Sequence, residues 1–357
     1  MPNGPRSVSP VATGAERIFG DLREVAARVR AELEAEIAES ALELPAEVAP
    51  AAEISRFARE ERARVLEAGV SGLEKLAGHR EDELDGDETF GVEAIVLLEG
   101  RPAILVQRQD FAPQRDEWAV LEPQRPAIRE SLLRVGRVEV TGHPSLDWIG
   151  TAFLVGPRTV MTNRHVAAEF TRLEGERWAL EFGMSARVDP AEELPVEGAP
   201  PGSSVPYEIT DVIGVHPDVD MALLRVEPVS EDGLPAPLAV AADAPADLPG
   251  RPVYVIGYPA WDGRRNEPES MRRIFMDVYN VKRLQPGMAT EFTPGGLVMK
   301  HDCSTLGGNS GSPVFDLADH RVLGLHYGGR YRTGNFAVPL WELLEDPLLA
   351  KAEVNWV

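Results

Sequence analysis

From Glu16 to about Leu44, apolar residues recur at Ile18, Leu22, Val25, Val29, Leu33 and Ile37, three and four positions apart, with Glu and Arg between them. Residues at that spacing share one face of an α-helix, so the pattern predicts an amphipathic helix with a charged outer face. LELPAEVAPAAE (Leu42–Glu53) interrupts it with two prolines, which cannot continue a helix interior. A second helical pattern runs from Ile54 through Phe57, Val65, Leu73 and Leu76. The two helices read either as a packed hairpin or as an element for docking or oligomerisation. The acidic run EDELDGDE (Glu81–Glu88) reads as a solvated linker, and EAIVLLEGRPAILVQ (Glu93–Gln107) as strand, glycine-containing turn and strand.

From about Arg129 the chain changes to short β-type runs separated by Gly, Pro and Asp: VGRVEVTG, GTAFLVG, TVMTNRHVA, ALLRVEP, PVYVIGYP, GLVMKHD, SPVFD, VLGLHYGG and NFAVPL. Such spacing predicts an all-β sandwich or barrel. A helical stretch, LWELLEDPLLAKA, follows near the end. The expected layout is a helical N-terminal region with its acidic linker (1–88), a β-hairpin connector (89–128) and a β domain (129–357).

Composition narrows the function. A net charge of −22 opposes a nucleic-acid role, because phosphate binding needs a lysine and arginine surface. Lysine stands only at positions 75, 282, 300 and 351 against many arginines, which suits a GC-rich bacterial genome. The single cysteine, Cys303, cannot make an internal disulfide and fits a reducing compartment. The first residues lack a basic patch followed by an apolar run, and no stretch approaches 18 apolar residues. A cytoplasmic protein without membrane contact is therefore expected.

The chemistry sits in three places. LGGNSGSPVF (Leu306–Phe315) puts Ser310 at the apex of a glycine-framed turn ahead of an apolar strand. Glycine serves where φ must turn positive or where another group must approach the main chain. In GTAFLVGPRTVMTNRHVAAEF (Gly150–Phe170), two β runs meet at a turn and deliver His165 at the opening of a short helical stretch. In VIGVHPDVDMALLRV (Val212–Val226), Asp220 directly precedes the apolar run Met221–Leu224, at the lip of a buried strand. Asp218 is the alternative carboxylate, and its place farther from that run turns it towards solvent. A serine hydroxyl is a weak nucleophile that an imidazole base activates, while a carboxylate fixes the imidazole tautomer. His165, Asp220 and Ser310 supply those three types.

TNRHV, DMALL and GGNSGSP, in that order, resemble the histidine, aspartate and serine boxes of the trypsin/chymotrypsin-like serine endopeptidases, in the bacterial branch similar to the glutamyl endopeptidases. The resemblance spans about Arg129 to Leu344. It implies a mainly β, chymotrypsin-like fold of two six-stranded antiparallel β-barrels with the site in the cleft between them, here with an N-terminal α-helical extension and a C-terminal helix. It also implies an oxyanion hole made by the main-chain N–H groups of Gly308 and Ser310. Asn309 stands where digestive members carry an aspartate that pairs with a freshly cut N-terminal ammonium. An amide cannot make that ion pair, so activity is not expected to depend on such a cut, and control is expected in the N-terminal helices.

VLGLHYGGRYRTGNFAVPL (Val322–Leu340) resembles the family's strand that pairs with an extended substrate, with Tyr327 lining the site and Gly328 and Gly329 leaving room for the incoming chain. His326 and Thr305 match positions that bind a glutamate carboxylate in glutamyl endopeptidases, which implies cleavage after Glu. Arg330 or Arg332 is the expected source of added positive charge. His216, His301 and His320 have no zinc-like spacing with Cys303, so neither metal nor cofactor is expected. WDGRRNEPESMRRIF (Trp261–Phe275) reads as a solvated loop. The expected function is a serine endopeptidase acting on proteins or peptides, with a regulatory partner on the N-terminal helices. The alternative is a protease-like adaptor that holds peptides without cutting them.

Overall fold

A computed structural model of the chain describes residues 21–42, 50–78, 80, 83–88, 92, 100–195, 205–230, 233–260, 278–330 and 334–357. The chain divides into two compact units, one up to Arg101 and one that starts at Pro102.

In the first unit, α1 (Leu22–Leu42) begins after Asp21, whose Oδ1 accepts the N–H groups of Arg23 at 2.9 Å and Glu24 at 3.3 Å. This N-cap satisfies donors that the first turn leaves without helical partners. α2 (Pro50–Ala77) opens on a proline, whose fixed φ and missing N–H suit a first helical position. Leu22, Val25, Ala26, Val29 and Leu33 pack against Leu66, Val70, Leu73 and Leu76, so the two apolar stripes bury each other.

The acidic run departs from the solvated linker that its composition suggests. Glu88 is buried and accepts hydrogen bonds from Ser71 Oγ at 2.7 Å and Lys75 Nζ at 2.6 Å. Burial by itself would raise its pKa, but the bonds from Lys75, Ser71 and the local main chain outweigh burial and hold the carboxyl below its usual range. The partners on α2 draw the end of the run out of water.

The second unit begins with a hairpin of β1 (Ile104–Gln107) and β2 (Asp110–Phe111). Its two turn residues, Arg108 and Gln109, have φ of 57° and 56°, which matches the right-handed twist of a two-residue hairpin turn. The hairpin thus lies later than the one expected over Glu93–Gln107: residues 93–99 fall outside the described residues, and the second half of that stretch pairs forward. After a 3₁₀ turn (Asp116–Leu121) comes α3 (Arg125–Leu132). Val106, Phe111, Trp118, Leu121, Ile128 and Leu132 join one core with Phe153, Met221, Tyr254 and Leu325. The connector is built into the β unit.

The first barrel uses β3 (Val135–Thr141), β4 (Trp148–Gly156), β5 (Thr159–Thr162), β8 (Ser185–Asp189), β9 (Tyr207–Val215) and β10 (Ala222–Pro228), closed in the order β10-β5-β4-β3-β8-β9. Between β5 and β8 lie the short α4 (Arg164–Ala167) and a side hairpin, β6 (Thr171–Glu174) with β7 (Arg177–Leu180). The second barrel uses β11 (Pro252–Gly257), β12 (Arg283–Phe292), β13 (Met299–His301), β14 (Pro313–Asp316), β15 (Val322–Arg330) and β16 (Gly334–Pro339). Its order is β11-β14-β15-β16-β13-β12, the β11–β12 pairing closes the ring, and β1 adds outside β12 with Ile104 opposite Leu284. All these pairings are antiparallel, giving the two six-stranded barrels that the resemblance implies.

The C-terminal helix differs in detail: it resolves into a 3₁₀ turn (Leu340–Leu343) and α5 (Pro347–Ala350). Asp346 stays extended at ψ 131°, because the residue before a proline is pushed out of helical space, and its side chain caps α5 through the N–H groups of Leu348 and Leu349. No helix among the described residues is long and apolar enough to cross a membrane.

Candidate active site

Register in the first barrel brings His165 and Asp220 together. Thr162, the last residue of β5, lies opposite Ala222, the first of β10, so the residues just beyond each strand end meet. Asp220 Oδ2 lies 2.6 Å from His165 Nδ1, and Oδ1 accepts the histidine's own main-chain N–H at 3.0 Å. Asn163, which leads into α4, donates from Nδ2 to the Asp220 carbonyl at 2.8 Å. Burial pushes the Asp220 carboxyl up, but its bonds to His165 prevail and hold it below the usual carboxylate range. The ionised carboxylate therefore accepts a hydrogen bond from Nδ1–H, which leaves Nε2 as the ring's acceptor nitrogen. Half of the His165 side chain is exposed, so that nitrogen is reachable.

The loop before Asp220 is held from both sides. Arg164 donates to the carbonyls of His216 at 3.2 Å and Pro217 at 2.8 Å. His216 accepts the N–H groups of Asp218 and Val219 at Nδ1, and its Nε2 faces Asp346 Oδ2 at 3.1 Å. Two N–H groups on Nδ1 fix the proton on Nε2. Asp218 itself is exposed, as its sequence position suggests.

Ser310 lies on the loop before β14, which is tied to the first barrel through Thr151. The Thr151 N–H donates to the Ser310 carbonyl at 2.9 Å, and Thr151 Oγ1 donates to the Gly308 carbonyl at 2.8 Å. Gly308 and Gly311 have φ of 82° and 89°, and a side chain on Gly311 would strike Thr151 and Thr162. Asn309 and Gly311 donate their N–H groups to Leu306 and His326, whereas no acceptor among the described residues takes those of Gly308 or Ser310. Two uncommitted donors thus flank the serine. The side chain of Asn309 is buried against Gly257 with Oδ1 and Nδ2 both unpaired among the described residues.

His326 is buried in β15, and its Nδ1 lies 3.1 Å from Nε2 of His301, buried in β13. Burial, then the neighbouring His301 and His165, hold His326 well below its ordinary pKa, and burial brings His301 down to about 4. Both rings are neutral at neutral pH. A bulge separates His326 from Gly328, and a side chain on Gly328 would meet nothing within 4 Å. Tyr327 stacks on Phe336 with centroids 6.1 Å apart. Thr305 is half-buried and makes no hydrogen bond to His326 among the described residues. Cys303 is buried beside Gly287, and its carbonyl accepts from Asn335. Arg332, Trp261–Phe275 and the side chain of Arg330 lie outside the described residues.

Sequence reasoning gives no role to His301, Thr151 or His216, since His326, Gly308 and Asp346, the partners that give them one, lie far along the chain. One acidic cluster, Glu139, Asp189 and Glu192, is close enough to ligate a metal, but Arg137 and Arg187 already pair with Glu139 at 2.5 and 2.6 Å.

Residues 150–325 match the family described as the trypsin-like peptidase domain. A glutamyl endopeptidase of Staphylococcus epidermidis is 28% identical over 186 residues, covering 50% of this chain and 54% of the relative. One from Staphylococcus aureus strain MW2 is 26% identical over 201 residues, covering 55% and 51%. The chain thus spans about half the length of the curated relatives it matches. Among solved structures, the Rv3671c protease from M. tuberculosis in its active form is 21% identical and covers 71% of this chain and 91% of that one, with a TM-score of 0.43. The serine endoprotease from Yersinia pestis is 15% identical, covers 63% and 65%, and has a TM-score of 0.41. The strand pairing within the two barrels carries the fold assignment. Over residues 150–325 the chain is thus similar to the trypsin-like peptidase domain, and in sequence to the glutamyl endopeptidases.

Proposed function

We propose that the protein is a serine endopeptidase that cuts peptide bonds through an acyl-enzyme. Ser310 Oγ attacks the scissile carbonyl while His165 Nε2 takes its proton and returns it to the leaving amine; water then repeats the attack on the ester. Asp220 stabilises the imidazolium that forms. The Gly308 and Ser310 N–H groups receive the oxyanion, each worth about 3 kcal/mol at the transition state. The observation that carries this reading is the 2.6 Å pairing of His165 with Asp220 on the same barrel that grips the Ser310 loop through Thr151.

The preferred residue before the cut is glutamate. The names of the relatives support it, and so does the buried pair His326–His301. A carboxylate entering against neutral His326 raises that ring's pKa, so the ring takes up a proton as the substrate binds, and His301 behind it shares the charge. Gly328 leaves β15 open for strand addition by the substrate. The N-terminal helices restrain the site or dock a partner.

A fluorophosphonate probe tests the chemistry: labelling of the full chain that is lost in Ser310→Ala is expected. Cleavage of a proteome-derived peptide library should then place cuts after glutamate. A folded chain that takes no label and cuts nothing would instead be a peptide-binding module.

A further inference from the structure

Gly307 and Gly308 stand next to each other in LGGNSG, and the peptide joining them carries the N–H that the proposed reaction needs. Two successive glycines let that peptide rotate at little steric cost. Something outside the loop must fix it. The Gly307 carbonyl accepts the Ala260 N–H at 2.6 Å, and there are no cis peptide bonds, so the Gly308 N–H points away from Ala260. The Gly308 carbonyl is held by Thr151 Oγ1 at 2.8 Å. These bonds hold the two carbonyls, and packing against the Cα of Gly308 between them adds a third restraint on the peptide.

That packing comes from Trp148, at the start of β4. A Cβ built on Gly308 would lie 2.7 Å from Trp148 Cη2 and 2.9 Å from Cζ3, and it would also strike the Tyr258 carbonyl. The indole edge therefore fills the space beside the glycine. Its own position is set by Arg137, whose guanidinium carbon lies 5.4 Å from the ring centroid. Arg137 is tethered in turn to the Asn280 carbonyl at 2.8 Å, Glu139 at 2.5 Å and Glu192 at 3.1 Å. The tether, the cation, the ring and the glycine form one continuous stack.

We propose that Trp148, seated by Arg137, is a positioning residue for the oxyanion hole: it keeps the Gly308 peptide from turning its N–H away from the developing negative charge. The proposal rests on the endopeptidase reading. The contact of Trp148 is with Gly308, whose N–H is a proposed oxyanion donor, so its contribution falls on the transition state rather than on substrate affinity.

The test uses the full chain with a peptide substrate and a peptide aldehyde, whose hemiacetal oxygen occupies the same hole. Trp148→Ala is expected to lower kcat at least about tenfold, short of the ~10²–10³ of losing the donor outright, with KM nearly unchanged. Aldehyde affinity should fall by the same factor as kcat, and Trp148→Phe should restore most of both. Should Trp148→Ala lose its cooperative melt, Arg137→Met is read by the same two quantities, with a smaller fall expected. A well-folded variant with unchanged kcat and aldehyde affinity, or one changed in KM alone, overturns the proposal while leaving the endopeptidase reading in place. A wild-type chain that neither cuts nor takes up a fluorophosphonate overturns both.

Discussion

Asp220 holds His165 twice, by the ring at 2.6 Å and by the main-chain N–H at 3.0 Å. The second bond fixes where the ring is hinged, and the first fixes which nitrogen carries the proton. Asp220→Asn keeps an oxygen for the main-chain bond but offers an amide N–H to the ring, so the imidazole settles in the wrong tautomer. The expected outcome is a fall in kcat of about 10⁴ with KM little changed and a wild-type melting temperature. Steady-state kinetics beside a thermal melt check it. A variant within tenfold of wild type would remove Asp220 from the reaction.

The neutral His326–His301 pair gives binding of a glutamate substrate a specific pH signature. In the free protein His326 is deprotonated well below its ordinary pKa, whereas a bound carboxylate raises that pKa. Between the two values each binding event takes up a proton, so KM should rise with pH by up to about tenfold per unit. The matched peptide with glutamine before the cut should show a flat KM over the same range. Parallel profiles for the two peptides would take His326 out of glutamate recognition.

Residues 102–128 precede the matched domain, yet Val106, Phe111, Trp118, Leu121 and Ile128 sit inside the core of the β unit. Removing five buried side chains of that size, at roughly 2–5 kcal/mol each, costs as much as or more than a typical domain's whole margin of about 5–15 kcal/mol. A chain starting at Pro102 is expected to melt cooperatively, and one starting at Arg129 to be degraded or aggregated. Circular dichroism and limited proteolysis distinguish them. A stable, folded 129–357 fragment would show the hairpin and α3 to be dispensable.

Lys282 is fully buried, and its ammonium donates to the carbonyls of Leu132 at 2.7 Å and Pro190 at 2.5 Å and to Gln109 at 3.1 Å. Burial brings its pKa down to about 7 despite Glu193 and Asp189 nearby. An unfolded lysine keeps its proton to about pH 10.4, so between those values the unfolded chain binds more protons and alkali favours the fold. Stability should climb from pH 7 to 9, by up to ~1.4 kcal/mol per unit. In Lys282→Met that slope should vanish while absolute stability falls, because Leu132 and Pro190 lose their donor. Urea titrations at three pH values measure both, and an unchanged slope in the variant would refute the assignment.

Residues that advertise themselves locally were legible in the chain: the glycine frame of Ser310, the apolar run after Asp220 and the three-and-four spacing of α1 and α2. What escaped is either disguised or non-local. β12 is a ring-closing strand, but Pro286 and Gly287 in its middle read as a break; β11 pairs straight through them, with Tyr254 opposite Pro286, while on the other edge the pairing with β1 ends at Leu284 and that with β13 begins at Ala289. The charged Lys282 just before it and Arg283 at its start look like surface and are among the largest fully buried side chains. His301 is one histidine among several until β13 and β15 place it behind His326. Trp148 meets Gly308 across the barrel seam, and no periodicity along the chain records such a contact. The acidic run looked solvated because its partners Ser71 and Lys75 lie on another element.

Asn309 lies next to Ser310 with its amide buried against Gly257. An amide has no proton to gain or lose between acid and alkali, so the seat of the serine keeps one electrical state wherever the protein is placed. A carboxylate there would make the loop's integrity hostage to a counter-charge and to pH. With Asn309, the scaffold beside Ser310 carries no charge that acid or alkali could add or remove.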